Sequence, residues 1–326
     1  MNSFGNRFRI TLFGESHGPG IGLVIDGLPA GIRLSEELFE QDLARRRGGS
    51  QPGTTPRQEE DRPQFLAGLY EGHTTGAPLA LWFANHNTRS EDYAPYFDHF
   101  RPSHADFVAR EKFNGYNDPR GGGHFSGRLS VALVAAGVVA KLLLPPEVGF
   151  STFVRSIGGE QDPARFEPLL QQASAEGDSL GGEIECEVSG LKVGLGDPFF
   201  DSVESLVAHL LFAIPGIKGV AFGSGFEAAR MRGSEHNDPL FDRRGRTATN
   251  HAGGVVGGLT NGNPLIVRAA FKPTASIARE QQTYHAATDR VEPLVIRGRH
   301  DRCIALRGAV VVEAAVAIAL AELTLR

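Results

Sequence analysis

Gly14-Glu15-Ser16-His17-Gly18 sets a histidine between small residues, where the apolar run Phe8–Leu12 gives way to a turn. A histidine at such a junction is accessible and exchanges protons near neutral pH. A second one, His104, stands in Arg101-Pro102-Ser103-His104-Ala105-Asp106. There an arginine can pair with an anion while the imidazole gives it a proton. The plainer reading is a helix N-terminus capped by Ser103 with Asp106 in its first turn; the two are compatible, since such a terminus itself attracts phosphate. Arg120-Gly121-Gly122-Gly123-His124-Phe125-Ser126-Gly127-Arg128 puts flexible backbone, a hydroxyl and two arginines ahead of an apolar helix, so backbone amides would point at an anion.

Three further segments carry the right residue types but also have bland readings. Arg45-Arg46-Arg47, with Arg57 beyond, is either an anion cluster or the charged end of a helix. Lys272-Pro273-Thr274-Ala275-Ser276 offers one cation and two hydroxyls to a phosphate, or forms a polar turn. In Arg299-His300-Asp301 a carboxylate beside a cation either orients a base or makes a surface ion pair. Together these residues suit proton transfer on a phosphorylated anion. The fingerprints Gly-x-x-x-x-Gly-Lys-Ser/Thr and Gly-x-Gly-x-x-Gly are absent, so a nucleotide cofactor would be bound in some other way.

The elements that must position them read as an alternation of strands and helices. Phe8–Leu12, Ile21–Ile25 and Ala77–Ala84 are strand candidates, as are Phe150–Ile157, Gly182–Ser189, Gly216–Gly223 and Leu265–Phe271. Ser35–Arg47 reads as a helix with Ser35 as its N-cap, and further helices are expected near Pro163–Ala173 and Ser202–Phe212. Ser126–Leu144 and Ala309–Leu323 are apolar almost all round, which predicts helices enclosed between sheets. Gly48–Pro63, Asn85–Arg101, Phe241–Gly262 and Lys272–Arg302 are polar, and loops this long inside a compact chain are usually functional or disordered. Glycine clusters at 18–22, 121–123, 223–225 and 253–258 again point to a ligand held largely by loops.

With 326 residues, 41% of them hydrophobic, the chain can bury a full core. The candidate loops lie in both halves, so a single catalytic domain over residues 1–326 is expected. The net charge of −5 argues against a general nucleic-acid binder. Two cysteines make neither a disulfide framework nor a metal site, and a reducing, cytoplasmic setting follows. The longest apolar stretches are interrupted by Lys141, Glu313 and Glu322, and fall short of the roughly 20 residues that a membrane span needs.

Taken together, these segments resemble the chorismate synthase family. The family's first signature is matched by Gly14–Gly18 through Asp26-Gly27-Leu28-Pro29, the second by Gly123–Ser130, and the third by Arg299-His300-Asp301 through Glu313. Arg89–Tyr93, Arg101–Asp106, Lys218-Gly219, Asn250–Gly258 and Lys272–Ser276 also look like family segments, in the right order along the chain. The resemblance implies an α+β fold, a β-α-β sandwich with buried helices between antiparallel sheets, in a homotetramer. It also implies anti-1,4 elimination of phosphate from 5-enolpyruvylshikimate 3-phosphate to give chorismate, with reduced FMN as cofactor. Whether NADPH at this chain or an external flavin reductase reduces the FMN is left open. By the same resemblance, His17 and His104 protonate the reduced flavin and the leaving phosphate, in an order left open. Ser16, Ser126 and Asp301 support proton relay. Arg46, Arg57, Arg101 and Arg128 hold the substrate, and His124, Phe125, Ser126, Gly216, Gly257, Lys272–Ser276 and Arg299 line the FMN.

The chain departs from the family pattern at His124-Phe125, where Arg-Ser is common, and at Ser103, where glycine is usual. Arg302 and Val310 stand where prolines are frequent, and Pro52 where a basic residue often is. Two other classes also fit some of these residues. One is a related flavin- or phosphate-binding protein without the activity, suggested by His124 and Arg302. The other is an RNA-binding module on Arg45–Arg47, against which acidity and the lack of a basic aromatic strand both count.

Overall fold

A computed structural model describes residues 1–49, 53–55, 59–88, 90–298 and 300–325. Of the residues singled out above, Pro52, Arg57, Arg89 and Arg299 lie outside this set. The first sheet is antiparallel. It contains β1 (Ser3–Phe4), β2 (Arg9–Gly14), β3 (Gly20–Asp26), β4 (Gln64–Ala67) and β5 (Leu79–Ala84), in the order β1-β2-β3-β5-β4. The second, also antiparallel, contains β6 (Gly149–Ile157), β7 (Gly182–Ser189), β8 (Ile217–Phe222) and β9 (Leu265–Phe271), in the order β8-β9-β7-β6. Period-2 alternation sets both inner faces. In the first sheet Ile21, Leu23 and Ile25 lie opposite Phe83, Leu81 and Leu79, all fully buried. In the second, Leu265, Val267 and Ala269 lie opposite Val188, Cys186 and Ile184.

Among the described residues the seven α-helices are α1 (Glu37–Arg46), α2 (Asp106–Lys112), α3 (Ser130–Lys141), α4 (Phe166–Ala175), α5 (Val203–Ala213), α6 (Gly233–His236) and α7 (Ala305–Thr324). The helix α3 packs against β3 of the first sheet and α7 against β6, β7 and β9 of the second; the two helices also pack on each other. The order of layers is therefore sheet, helices, sheet, as the apolar helices predict. One apolar core runs through residues of both sheets and the helices between them. The helices come close at Gly137, where an added Cβ would lie 2.4 Å from Ala314 Cβ. Among the described residues no helix is long and apolar enough to cross a membrane.

Two buried carboxylates on α7 tie this layer to its surroundings. Glu322 Oε2 accepts from the backbone N–H groups of Asn6, Arg7 and Phe8, fixing the chain that leads into β2. Glu313 binds Arg45 of α1 through both oxygens (2.9 and 2.8 Å) and Lys141 of α3 (2.5 Å). Asp42 completes the cluster, bonded to Lys141 at 2.7 Å and Arg45 at 3.2 Å. Burial alone would raise the Glu313 pKa, but the hydrogen bonds from Arg45 and the charge of Lys141 outweigh it and hold it at about 2.

Several boundaries differ from the sequence reading. The helix α1 begins at Glu37, and Ser35 does not cap it; Leu38 and Phe39 N–H instead bond the carbonyls of Ser35 and Glu36. The helix α3 begins at Ser130. Ser126 caps a short 3-10 turn, Gly127–Leu129, that leads into it. At its other end, α7 starts at Ala305, four residues before the apolar run. Ser103 does not cap α2, because Asp106 folds back onto Arg101. The polar stretch after β9 contains a ribbon, Gln281–His285 with Arg290–Leu294, that the sequence reading missed.

Candidate anion-binding active site

Where the N-terminal ends of α3 and α7 meet the C-terminal end of α1, a cavity of about 860 Å³ opens. Two helix N-termini facing one space favour an anion there, because the positive ends of their dipoles point toward it. The arginine run at the end of α1 divides at this point. Arg45 goes to Glu313, and Arg47 goes to Glu40 and to the Glu60 carbonyl. Arg46 and Arg47 both line the cavity, and Arg45 does not.

The floor is built on Asp61, a carboxylate whose side chain is wholly buried. Its oxygens accept from Arg46 Nη1 at 2.8 Å and from Arg128 Nη1. Asp61 has φ +49°, a left-handed backbone that aspartate tolerates better than most residues. Burial raises its pKa, but Arg46 and Arg128 together hold it below the ordinary value. Arg46 is almost saturated: it also donates to Ser130 Oγ, Gly127 O and Arg128 O, leaving roughly one of five N–H groups for a ligand. Burial, with Arg128 and Arg307 nearby, pushes its pKa down to about 9. Arg128 is different. Its Nε bonds Asn85 Oδ1 at 3.2 Å and its Nη1 bonds Asp61, but its buried Nη2 has no partner among the described residues.

One wall carries His104. The Pro102 carbonyl can only accept, so Nδ1 donates to it (3.0 Å), and Nε2 then accepts from Ser276 Oγ (2.8 Å). Burial first, and then the charges of Arg101 and Lys272, push the His104 pKa down to about 4, so the ring is neutral at pH 7. Lys272 donates to the Ser103 carbonyl at 2.7 Å. Ser103 itself has φ +59°, the left-handed region that glycine adopts freely. Arg101 is buried; Asp106 holds its Nε (2.8 Å) and Nη2 (2.7 Å), and it lies over the rings of Tyr93 and Tyr96.

The opposite wall is backbone. Gly121 and Gly122 line the cavity, with Ser16 and His17 immediately behind. An added Cβ on Gly121 would lie 2.4 Å from His17 Cδ2 and 2.6 Å from Ser16 Oγ, and Gly121 is already at φ +59°. His17 packs its ring edge-on against Tyr93, centroids 5.0 Å apart. Arg120 turns away to Asp118 and does not line the cavity.

Ser126, His124, Phe125, Gly216, Thr274, Ala275 and Asp301 line the cavity; Ser16, His17, Gly257 and Pro273 do not. Gly257 lies at an open turn beside the short strand Val255–Val256. His124 bonds the Gly14 carbonyl (2.8 Å) and Asn2 Oδ1 (3.2 Å), and Phe125 is half exposed beside Phe113. Asp301 accepts from Thr55 N–H (2.8 Å) and Arg307 Nη1 (3.0 Å), so it anchors a loop as well as a cation. Arg302 donates its backbone N–H to Gly53 O at 2.7 Å, a bond that proline in its place would remove. Asp61, Asn85 and Arg307 were not picked out from the sequence. Each is a lone polar residue whose role lies in its partners.

The chorismate synthase family model matches residues 8–325. A chorismate synthase from Chitinophaga pinensis is 55% identical over 325 residues, covering 100% of this chain and 97% of that protein. One from Korarchaeum cryptofilum is 43% identical over 350 residues, covering 99% and 97%. A crystal structure of a chorismate synthase superposes with a TM-score of 0.74 at 26% identity, covering 98% of this chain and 92% of that one. With the match running through both sheets and every wall of the cavity, the chain belongs to the chorismate synthase family.

Proposed function

We propose that this cavity catalyses the anti-1,4 elimination of phosphate from 5-enolpyruvylshikimate 3-phosphate, giving chorismate. The ring loses a proton at one carbon, the C–O bond to phosphate breaks with its electron pair leaving on oxygen, and a conjugated diene remains. There is no net oxidation. The observation that carries this reading is the buried Nη2 of Arg128, a donor without a partner among the described residues, on a floor where Asp61 and Asn85 hold the other nitrogens. A dianionic group beside Gly121 would meet that donor together with the positive end of the α3 dipole.

The chemistry also calls for reduced FMN, and the cavity suits it. Gly121, Gly122 and Gly216 offer side-chain-free surface for a planar ring, while Lys218 and Lys272 line the same space for a phosphate tail. Its volume lies in the upper part of the roughly 300–1,000 Å³ typical of ligand sites. Bound there, a reduced flavin supplies transient electron density and a proton acceptor at N5. Lys272, Thr274, Ala275 and Ser276 would hold it, with His124, Phe125 and Ser126 on its other side.

The two histidines then divide by what they touch. His104 is hydrogen-bonded to Ser276, within the flavin segment, and is assigned to the flavin side. His17 belongs to a loop tied through Asn85 to Arg128, and is assigned to the leaving phosphate. Asp301 orients Arg307 at the start of α7. Anaerobic mixing of the protein with reduced FMN and the enolpyruvyl substrate should yield chorismate absorbance and phosphate in equal amounts. Flavin binding with no product would favour a related protein that has lost the activity.

A further inference from the structure

Asn85 is the first residue beyond β5, and its backbone N–H donates to Pro19 O at 3.1 Å, continuing the ladder in which Ala84 faces Gly20. Its side chain is engaged at both ends. Nδ2 donates to Glu15 O and to Gly18 O, each at 3.0 Å, so one amide holds the two carbonyls that bracket Ser16 and His17. Oδ1 accepts from Arg128 Nε. With Asp61 on Nη1, that bond fixes the plane of the guanidinium and so the direction in which Nη2 points.

We propose that Asn85 is a positioning residue that locks the His17 loop and Arg128 at a fixed separation, so that a proton donor and a cation act on the same phosphate. This rests on the function proposed above for the cavity. The role demands asparagine, because the site uses two N–H donors and one oxygen acceptor from a short planar group at a strand end. Aspartate keeps the acceptor, loses both donors and sets a charge against two carbonyls. Alanine loses everything.

The experiment pairs Asn85→Asp with Asn85→Ala. In Asn85→Asp, kcat falls about ten- to a hundredfold while KM for 5-enolpyruvylshikimate 3-phosphate stays within about threefold, because only the His17 loop is released. In Asn85→Ala, KM also rises about tenfold. Independently of turnover, NMR of ¹³C-histidine-labelled, ligand-free protein shows the His17 ring signal and its titration midpoint moving in both variants, while those of His104 stay in place. Wild-type kcat and KM in both variants, or a His17 signal unchanged in both, would overturn the proposal. Should the alanine variant aggregate, the isosteric aspartate variant decides. Should the wild type convert no substrate, the reading of function falls, and the NMR measurement still decides whether Asn85 holds His17.

Discussion

Two clusters of buried charge begin on successive residues of α1, and they differ in what is left over. Around Arg45, two cations and two carboxylates close on each other: Arg45, Lys141, Asp42 and Glu313. Around Arg46, one carboxylate faces two arginines, and a buried nitrogen of Arg128 has no partner among the described residues. Both are built from basic side chains and carboxylates. A balanced cluster staples three helices together, whereas an unbalanced one beside a cavity is prepared for an anion that arrives from outside.

The sharpest break of this contrast is Arg128→Ala. It should lower kcat/KM by about a hundred- to a thousandfold, as loss of a fixed donor at a developing anion does. Thermal unfolding should change less by comparison, because Arg46 still pairs with the other oxygen of Asp61. Glu313→Ala should do the reverse. Leaving the half-exposed Arg45 and Lys141 with only Asp42 as a shared carboxylate costs about 1–3 kcal/mol of stability, read from denaturant unfolding. At temperatures where the variant is folded, its kcat/KM should stay within about threefold.

Smaller in effect is Gly121→Ala, which sharpens the picture of the wall. Its new Cβ collides with His17 and Ser16 at a left-handed position, so kcat should fall about tenfold or more. Equal kcat in variant and wild type would show that His17 does not depend on that wall.

A pH profile separates the His104 wall of the cavity from the Arg45 cluster. His104 has a folded pKa of about 4 against 6.5 when free, so between those values the unfolded chain binds more protons. Stability should therefore fall as pH drops from 6.5 toward 4, by at most about 3 kcal/mol, and be flat above. Glu313, at about 2 against 4.5, contributes fully above pH 4.5 and loses that contribution as pH falls toward 2. Unfolding melts from pH 7 to 2 should show His104→Ala flattening the upper window and Glu313→Gln the lower.

Much of the layered fold was legible because period-2 and all-round apolar patterns are local signals: Gly182–Ser189 and Leu265–Phe271 form strands with the bounds read from the sequence. The ribbon at Gln281–His285 was not, since its residues are polar and half exposed, and its pairing depends on Arg290–Leu294 and on the segment at Phe100 that it covers. In the site, histidines and arginines announce themselves by type. What the sequence concealed was how a run divides: Arg45, Arg46 and Arg47 are consecutive, yet successive helical residues turn by about 100° and meet three different carboxylates. Asp61 and Asn85 were hidden for a related reason, because a lone polar residue in a loop acquires meaning only from the side chains folded against it.

The most direct test of this division is anaerobic turnover with reduced FMN and 5-enolpyruvylshikimate 3-phosphate, following chorismate absorbance and released phosphate together. Wild type and Glu313→Gln should release one phosphate per chorismate at similar rates, while Arg128→Ala falls by at least about a hundredfold. Turnover by Arg128→Ala at the wild-type rate, or phosphate release without chorismate, would contradict the assignment of the Arg46–Asp61–Arg128 floor.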